Sequence, residues 1–505
     1  MIIVFVLYFL MLAFLGYLGW RNTRNSDDYL IGGRGMSSLI MALSYGATFI
    51  SASAIVGFGG VAATFGLGIQ WLCFLNMFVG VVIAFIIFGK RTRKIGANLG
   101  ASSFPQFLGK FYKSRHIQVF MATVIILGMP LYAAVVLKGG AVFVEQIFHM
   151  DYNLSLFLFT LFIAIYVISG GIKGVMYTDT AQAVIMFLCM ALLLYFFYGK
   201  LGMGFSEANR ALGDLAPMVD EGLRAQGHAG WTAFPTMGSA QWWTLVSSLI
   251  LGVGIGCLAQ PQLVVRFMTV NSGKQLNRGV MIGCLFLLVT VGVIYHVGAM
   301  SNLYFLKTQG MTAAQLVSDS DKIIPFLISS AMPKWFTAVF MMCIISAAMS
   351  TLSSQFHTMG VAAGADVAKG STKIIRWAVL GGIILSYVIC YMLSANVIAR
   401  GTNIFMGVCA STFLPAYFCA LYWKRVTRKG AIWSMWIGAF SSLFALLFLH
   451  QKESAALGIC KAVFGTDCLF STFPWPLVDP IVFSFPLSVA AIIVVSLMDK
   501  EGKEA

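Results

Sequence analysis

The chain has 505 residues, of which 59% are hydrophobic and 10% are charged, and its formal net charge is +15. Soluble domains have about a quarter of their residues charged, so this composition excludes a soluble protein. Apolar stretches of about 20 residues recur along the whole chain, and each is long enough to cross a hydrocarbon core of ~30 Å as a helix. The sequence therefore predicts a polytopic, all-α membrane protein.

Thirteen membrane-spanning helices are predicted from these apolar stretches. Two of the stretches, 37–65 and 323–362, are longer than one straight span requires, so each should contain a break or extra turns. In chain order the predicted spans are 2–20, 37–65, 67–89, 117–147, 153–170, 178–198, 242–262, 279–302, 323–362, 374–393, 396–423, 430–450 and 480–498.

The positions of Lys and Arg predict how these spans are oriented. Most of the 33 basic residues lie in alternate connections, which places them on one side of the membrane. Basic connections stay in the cytoplasm, so the N-terminus is predicted outside and the C-terminus inside, in the inner (plasma) membrane of the cell. The positive charge is thus a topology signal, and no nucleic-acid partner is predicted. The basic connections are 21–36, 90–116, 171–177, 263–278, 363–376, 424–429 and the tail after 498.

The sequence favours neither an enzyme nor a metal-binding protein built on cysteine. No spacing typical of a nucleotide-binding loop, a zinc site or a nucleophile with its base is found. Most of the ten cysteines are scattered singly through predicted spans, where they pack as small apolar groups. Cys460 and Cys468 share one predicted external loop and could form a disulfide if that compartment is oxidising.

Polar side chains inside the ninth predicted span are the first candidate functional group, because such groups are costly in a membrane. Residues three and four apart share a helix face, and Ser353 lies beside the stripe that they form. Hydroxyl and carbonyl oxygens suit a hard cation such as sodium. The alternative is that these hydroxyls permit close packing or bond to their own backbone. The stripe consists of Ala347, Ser350, Thr351 and Ser354.

Glycine-rich segments predict a broken helix in the second and the seventh spans. The segments are "SYGATFISASAIVGFGGVAATFGLG" (44–68) and "LILGVGIGCLAQPQ" (249–262). Unwound backbone at membrane depth is tolerated where it faces protein or water, although close packing also explains such glycines. Breaks five spans apart match two inverted repeats with a site at the membrane midplane. The predicted single transporter domain comprises an extra helix at 2–20, repeats at 37–198 and 242–423, and C-terminal helices at 430–498.

Three further ionisable groups in the predicted spans have more than one interpretation. Lys138 either contacts substrate, snorkels or pairs at a distance, or serves in gating. Its pairing with Glu145 is disfavoured, because seven residues separate the two along one helix. His296 and His357 either relay protons or pack as hydrogen-bonding groups.

Three segments resemble the sodium:solute symporter family. They are "GGIKGVMYTDTAQAVIMF" (170–187), "AQPQLVVRFMTVNSGKQLNRG" (259–279) and "AAMSTLSSQ" (347–355). With the predicted topology, the resemblance covers nearly the whole chain. It implies the LeuT-type fold, with five plus five helices in inverted repeats, one extra N-terminal helix and two C-terminal helices. It also implies a symporter coupled to one or two sodium ions per cycle.

The resemblance further implies which residues hold these ions. Sodium site one would use the carbonyls of Ala47, Ile50 and Ala347 and the side chains of Ser350 and Thr351. The sialic-acid branch of the family has a second sodium ion. The residues that match that second site are Asp179, Ser350, Ser353 and Ser354.

The substrate is less narrowly defined by the resemblance. The sugar branch has a glutamine where this chain has Ala54, which disfavours a sugar. The sialic-acid branch has an arginine in the helix that corresponds to the one with Lys138, which indicates an anionic solute resembling a monocarboxylate. The alternative substrates are a zwitterionic amino acid such as proline, or pantothenate. The alternative functions from another class are a channel and a non-transporting sensor. Beyond the solute and the lipid bilayer, no obligate protein partner is predicted. The predicted substrate-binding residues are Phe49, Ser51, Gln70, Lys138 and Gln260.

Overall fold

The computed structural model describes residues 2–393 and 396–499, and this part of the chain is built of helices without a β-strand. Helices pair their own backbone N–H and C=O groups, as hydrocarbon surroundings demand. The predicted all-α class is confirmed. Ten of the described helices are long and apolar enough to cross a membrane: Ser53–Asn98, Arg115–Gln146, Gly171–Leu201, Ala240–Ala259, Gly273–Gln309, Lys334–Val367, Thr372–Met392, Ile398–Tyr422, Arg428–Phe448 and Ile481–Met498.

Three shorter apolar helices, Val6–Arg21, Ser38–Phe49 and Tyr152–Ala164, accompany these ten in the described residues. The count of thirteen spans stays a prediction, because length and apolarity identify ten. In the first half, the α-helices are Ile2–Arg21, Ser26–Ile31, Ser38–Phe49, Phe58–Phe65, Gln70–Met77, Lys90–Asn98, Phe104–Phe111, Arg115–Phe148, Tyr152–Leu201, Phe205–Asp214 and Glu221–Ala225, with π-helical turns at Ser53–Gly57 and Phe78–Gly89.

The second half has the same character, with long helices joined by short ones. Its α-helices are Ala240–Trp243, Val253–Gly256, Pro261–Phe267, Gly273–Leu287, Val293–Gln309, Ala313–Leu316, Ser320–Ala331, Lys334–Val361, Thr372–Met392, Ile398–Tyr422, Arg428–Phe448, Gln451–Leu457, Ile459–Phe464 and Ile481–Met498. Its π-helical turns are Thr244–Gly252, Leu288–Gly292 and Ala362–Val367. Short 3₁₀ turns occur at Gly32–Arg34, Gly66–Ile69, Ala216–Met218, Cys257–Ala259 and Trp475–Leu477.

Both helices that were predicted to be broken by glycine are broken. The first broken helix, residues 38–65, leaves helical geometry at Ile50, whose φ is −90° and ψ is 98°. The second broken helix, residues 240–267, is interrupted at Gln260, with φ of −69° and ψ of 118°. Pro261 then starts the next turn, where its missing N–H is no loss. The two interruptions fall in the predicted second and seventh spans.

The other overlong stretch, 323–362, is also divided. A short helix, Ser320–Ala331, ends at Met332, and Pro333 precedes the long helix Lys334–Val361. Proline has no backbone N–H to donate, so it marks a favourable place for a new helix to begin. The predicted break in this stretch is therefore confirmed.

The helix Lys334–Val361, hereafter the hydroxyl helix, lies at the centre of the bundle. It packs against Ser38–Phe49, Arg115–Phe148 and Tyr152–Leu201. The last of these is divided at Gly171, where φ is 56° and ψ is −176°. A φ in this range favours glycine. The two predicted spans 153–170 and 178–198 thus meet at one residue, and both stand next to the hydroxyl helix.

The two cysteines for which the sequence left a disulfide open are not bonded to each other in this structure. All ten cysteines of the described chain are free thiols, Cys460 and Cys468 included. The Sγ of Cys468 instead lies 3.6 Å from the carbonyl oxygen of Phe470, which it contacts as a weak donor.

Candidate functional site

The first break brings backbone oxygens against the hydroxyl helix. Ser350 Oγ donates to the carbonyl of Ala47 at 2.8 Å and lies 3.2 Å from the carbonyl of Ala347. All three residues are fully buried. Three of the five residues predicted for sodium site one therefore converge on a single hydroxyl, across the contact between two helices.

The remaining two residues of predicted site one lie on the same contact. Thr351 Oγ1 donates to the carbonyl of Thr48 at 3.0 Å. Ile50 ends the first half of its helix, so its extended backbone turns its carbonyl out of the helical direction. Carbonyl and hydroxyl oxygens of this kind are neutral ligands that a hard monovalent cation accepts. The site itself stays a prediction.

Asp179 is buried in the centre of the bundle and forms an ion pair that sequence analysis missed. Its Oδ2 lies 2.8 Å from Nη2 of Arg266, and both side chains are inaccessible to solvent. Ser44 Oγ donates to the same carboxylate oxygen at 2.8 Å and Thr48 Oγ1 at 3.2 Å. A buried carboxylate needs a cation and hydrogen-bond donors, and here the protein supplies them.

The guanidinium of Arg266 is held by hydroxyls from two helices. Its Nε donates to Ser44 Oγ at 3.0 Å, while Nη2 donates to Ser354 Oγ at 2.6 Å and to Thr48 Oγ1 at 2.5 Å. Nη1 donates to the carbonyl of Gln262 at 2.5 Å. Arg266 lies inside one of the segments that resemble the symporter family, which was the available signal. Because Arg266 falls in the basic connection 263–278, the sequence placed it at the cytoplasmic surface, and its burial was not predicted.

The hydroxyls of the hydroxyl helix do not all serve the same purpose. Ser353 donates to the carbonyl of Ser350 at 3.1 Å, so it bonds to its own backbone. Ser346 pairs with the hydroxyl of Tyr8 at 2.9 Å and joins the first helix of the chain. Ser354, in contrast, accepts a hydrogen bond from Arg266 and so faces the Asp179–Arg266 pair.

Three of the predicted substrate-binding residues lie at the two breaks. Phe49 and Ser51 flank the first interruption, and Gln260 forms the second. The broken segments approach each other at Gly80, where an added Cβ would lie 3.0 Å from the Phe49 ring and 3.3 Å from Cys257 Sγ. Nε2 of Gln260 is buried without a hydrogen-bond partner among the described residues.

The other two predicted substrate residues belong to other helices than the two broken ones. Gln70 Nε2 donates to the carbonyl of Gly292 at 3.0 Å, which links it to a neighbouring helix. Lys138 is 7% exposed, and its Nζ lies 3.3 Å from the carbonyl of Leu393. Its neighbour Gly139 approaches the first broken helix, because an added Cβ would lie 3.4 Å from Ala52 Cβ.

The charged and histidine side chains around these spans have contacts that bear on their sequence interpretations. Glu145 pairs with Lys322 at 3.5 Å, so the predicted absence of a Lys138–Glu145 pair agrees with the structure. His296 Nε2 lies 2.6 Å from the hydroxyl of Tyr198, as expected of a packed hydrogen-bonding group. His357 is buried beside the ring of Tyr29, at 5.4 Å between centroids.

Comparison with known proteins adds a decisive observation to this geometry. Residues 29–438 match the sodium:solute symporter family. The chain belongs to this family. The sodium/proline symporter of Salmonella typhimurium is 26% identical to this symporter over 451 residues, with 87% of this chain and 86% of the relative covered. The sodium/pantothenate symporter of Haemophilus influenzae is 27% identical over 424 residues, with 81% and 82% covered.

Solved structures share the fold of this symporter. The structure of a Na⁺-coupled sialic acid symporter in a substrate-bound outward-open state superimposes with a TM-score of 0.71, at 16% identity, covering 98% of this chain and 97% of that one. Mhp1, a nucleobase-cation-symport-1 family transporter, superimposes with a TM-score of 0.56 at 11% identity, covering 95% and 98%. The predicted LeuT-type fold is thereby confirmed. Membership of the sodium:solute symporter family makes the protein a multi-pass membrane transporter, not an enzyme.

Proposed function

We propose that this symporter imports a small solute that carries a carboxylate group, by alternating access driven by sodium. The named relatives transport proline or pantothenate, and they favour these alternatives over the monocarboxylate-like anion that was the first interpretation of the sequence. Proline, pantothenate and a monocarboxylate all carry a carboxylate group, so the proposal specifies this group and not one of the three solutes. The observation that carries it is the bond between Ser350 Oγ and the Ala47 carbonyl, 2.8 Å long, which gathers oxygen atoms at a helix break.

Sodium is the cation that this oxygen set suits. The predicted ligands of site one are hydroxyls and carbonyls, and the described residues contain no cluster of three or more His, Cys, Asp or Glu side chains that could hold a metal ion. Transition metals favour imidazole and thiolate, whereas hard cations favour oxygen. We propose one sodium ion at site one and a second at Asp179, Ser350, Ser353 and Ser354.

We further propose that the N-terminus lies outside the cell and the C-terminus in the cytoplasm, in the plasma membrane. Contacts among the basic connections support this orientation. Arg34 Nη2 donates to the carbonyl of Ala101, and Arg93 Nη1 donates to the carbonyl of Asn271, both at 2.9 Å. Three basic connections thus meet at one end of the bundle, as expected of the cytoplasmic side.

Uptake by the purified protein in proteoliposomes tests the function. We expect saturable uptake that requires an inward sodium gradient and stops when choline replaces sodium. The solutes to compare are proline, pantothenate, a short monocarboxylate, sialic acid and, as a neutral control, glucose. Non-saturable flux would indicate a channel, and binding without flux would indicate a sensor; either result contradicts the proposal.

Sodium site one has its own test in two substitutions. Ser350→Ala or Thr351→Ala each removes one hydroxyl oxygen from a site with about five ligands. Each should raise the sodium concentration for half-maximal uptake about tenfold, equivalent to ~1.4 kcal/mol. The matched control is Thr358→Ala, because Thr358 Oγ1 bonds to the Ser354 carbonyl of its own helix at 2.7 Å. Wild-type sodium dependence in both variants would contradict the site.

Lys138 is proposed to attract the carboxylate of the substrate. Lys138→Gln should raise the substrate concentration for half-maximal uptake about tenfold, since a charge-assisted hydrogen bond contributes ~1.5–3 kcal/mol. The sodium dependence should change little. Lys322→Gln is the control, because Lys322 pairs with Glu145 and is 39% exposed. Unchanged substrate affinity in Lys138→Gln, or the identification of a neutral substrate, would remove the argument.

A further inference from the structure

We infer that Arg266 is an internal cation that competes with the second sodium ion for the Asp179 carboxylate, and that it moves towards Asp366 when sodium displaces it. The inference rests on the proposed sodium coupling. It adds an exchange of two cations at one buried carboxylate, in which the protein provides one of them.

The guanidinium donates hydrogen bonds to oxygen atoms that would be ligands of a sodium ion. Nη2 of Arg266 lies 2.8 Å from Asp179 Oδ2, 2.6 Å from Ser354 Oγ and 2.5 Å from Thr48 Oγ1. Carboxylate and hydroxyl oxygens are the ligands that a hard cation takes. Two of these residues, Asp179 and Ser354, belong to the predicted second sodium site.

Both cations cannot be held there together. Asp179 and Arg266 are at most 1% exposed, and one carboxylate compensates one positive charge. Two unit charges of the same sign repel strongly where water is excluded. Asp179 Oδ1, however, has no hydrogen-bond partner among the described residues. Sodium can therefore approach this second oxygen first and then replace the guanidinium.

A second buried carboxylate, that of Asp366, lines the same small cavity as Arg266. The cavity has a volume of about 20 Å³, and Arg266, His357 and Asp366 are among the residues that line it. Asp366 Oδ1 accepts hydrogen bonds from Ser103 Oγ at 2.9 Å and Gln118 Nε2 at 3.0 Å, whereas its Oδ2 has no partner among the described residues. A buried carboxylate oxygen without a partner is unfavourable. A guanidinium turned away from Asp179 would satisfy it.

The competition is tested by removing the internal cation. Arg266→Gln should bind sodium at the second site about tenfold more tightly than the parent, within the usual range of coupling between sites. The readout is the sodium concentration for half-maximal protection against thermal unfolding in lipid nanodiscs, with choline keeping the ionic strength constant. A Thr351→Ala background weakens site one. The double substitution Asp179→Asn with Arg266→Gln removes both charges and should lose this protection, while Arg34→Gln should match the parent.

Asp366→Asn tests the destination of the guanidinium separately. It removes the negative charge of the carboxylate that would receive the guanidinium, so sodium binding at the second site should weaken about tenfold. A folded Arg266→Gln protein whose sodium affinity is unchanged or lower would overturn the inference, as would an unchanged affinity in Asp366→Asn. If Arg266→Gln does not fold, the sodium affinity of Asp366→Asn alone tests the inference. The proposed function fails separately, when the wild-type protein shows no sodium-dependent uptake.

Discussion

Substitution of Asp179 by alanine is expected to destabilise the protein by about 3–5 kcal/mol and to abolish transport. The reason is the burial of its partner: Arg266 is 1% exposed, and without the carboxylate its charge has no compensating anion. The hydroxyls of Ser44 and Thr48 would also lose an acceptor. The measurement is the midpoint of thermal unfolding in detergent, together with uptake in proteoliposomes.

Two further variants serve as controls for this result. Asp467→Ala removes an exposed carboxylate that pairs with Lys461 at 3.8 Å, and it should leave stability near the wild-type value. Asp179→Asn with Arg266→Gln removes both buried charges and keeps polar groups at both positions, so stability should partly recover while transport does not. A stable and fully active Asp179→Ala protein would show that neither the stability of the fold nor sodium-coupled transport requires this carboxylate.

Gly60→Ala is expected to have the second largest effect, because backbone stands where its methyl group would go. An added Cβ would lie 1.9 Å from the carbonyl oxygen of Ser320. Gly60 belongs to the second half of the first broken helix, and Ser320 begins the helix Ser320–Ala331. A backbone carbonyl cannot rotate away as a side chain can, so the two helices must separate.

We expect this separation to lower stability by about 1–3 kcal/mol, which is typical of overpacking. Transport should fall strongly, because the helix that moves is continuous with the break at Ile50. Uptake rate and thermal stability are the measurements. Gly381→Ala is the matched control: it lies within a helix and an added Cβ would meet nothing within 4 Å. A Gly60→Ala protein with a normal uptake rate would mean that this close approach is not needed in the transport cycle.

The sequence was sufficient to predict the helix breaks and the hydroxyl stripe. Glycine and proline act on the backbone where they stand, so the interruptions at Ile50 and Gln260 follow from local composition. The stripe around Ser350 follows from helix periodicity, which also needs no distant information. The rejected Lys138–Glu145 pair follows from the same geometry.

The pairing of Asp179 with Arg266 could not be derived in this way. The two residues are 87 positions apart and lie on different helices. No periodicity connects them, and an arginine four residues after a predicted span is indistinguishable from one that faces the cytoplasm. Resemblance identified the segment, but only the folded arrangement shows which carboxylate the guanidinium meets.

The bond from Ser350 Oγ to the Ala47 carbonyl also bears on the step in which the unloaded carrier returns across the membrane. Oxygen atoms that lose an ion inside a bilayer would be stranded without water, and that would slow the return. If sodium binds as proposed, the Ala47 carbonyl can accept a hydrogen bond from Ser350 of the facing helix once the ion has left, and Asp179 can again pair with Arg266. Under that proposal, protein hydrogen-bond donors take the place of the released ions. Turnover can then be limited by helix movement instead of by the free energy of exposing bare oxygen atoms.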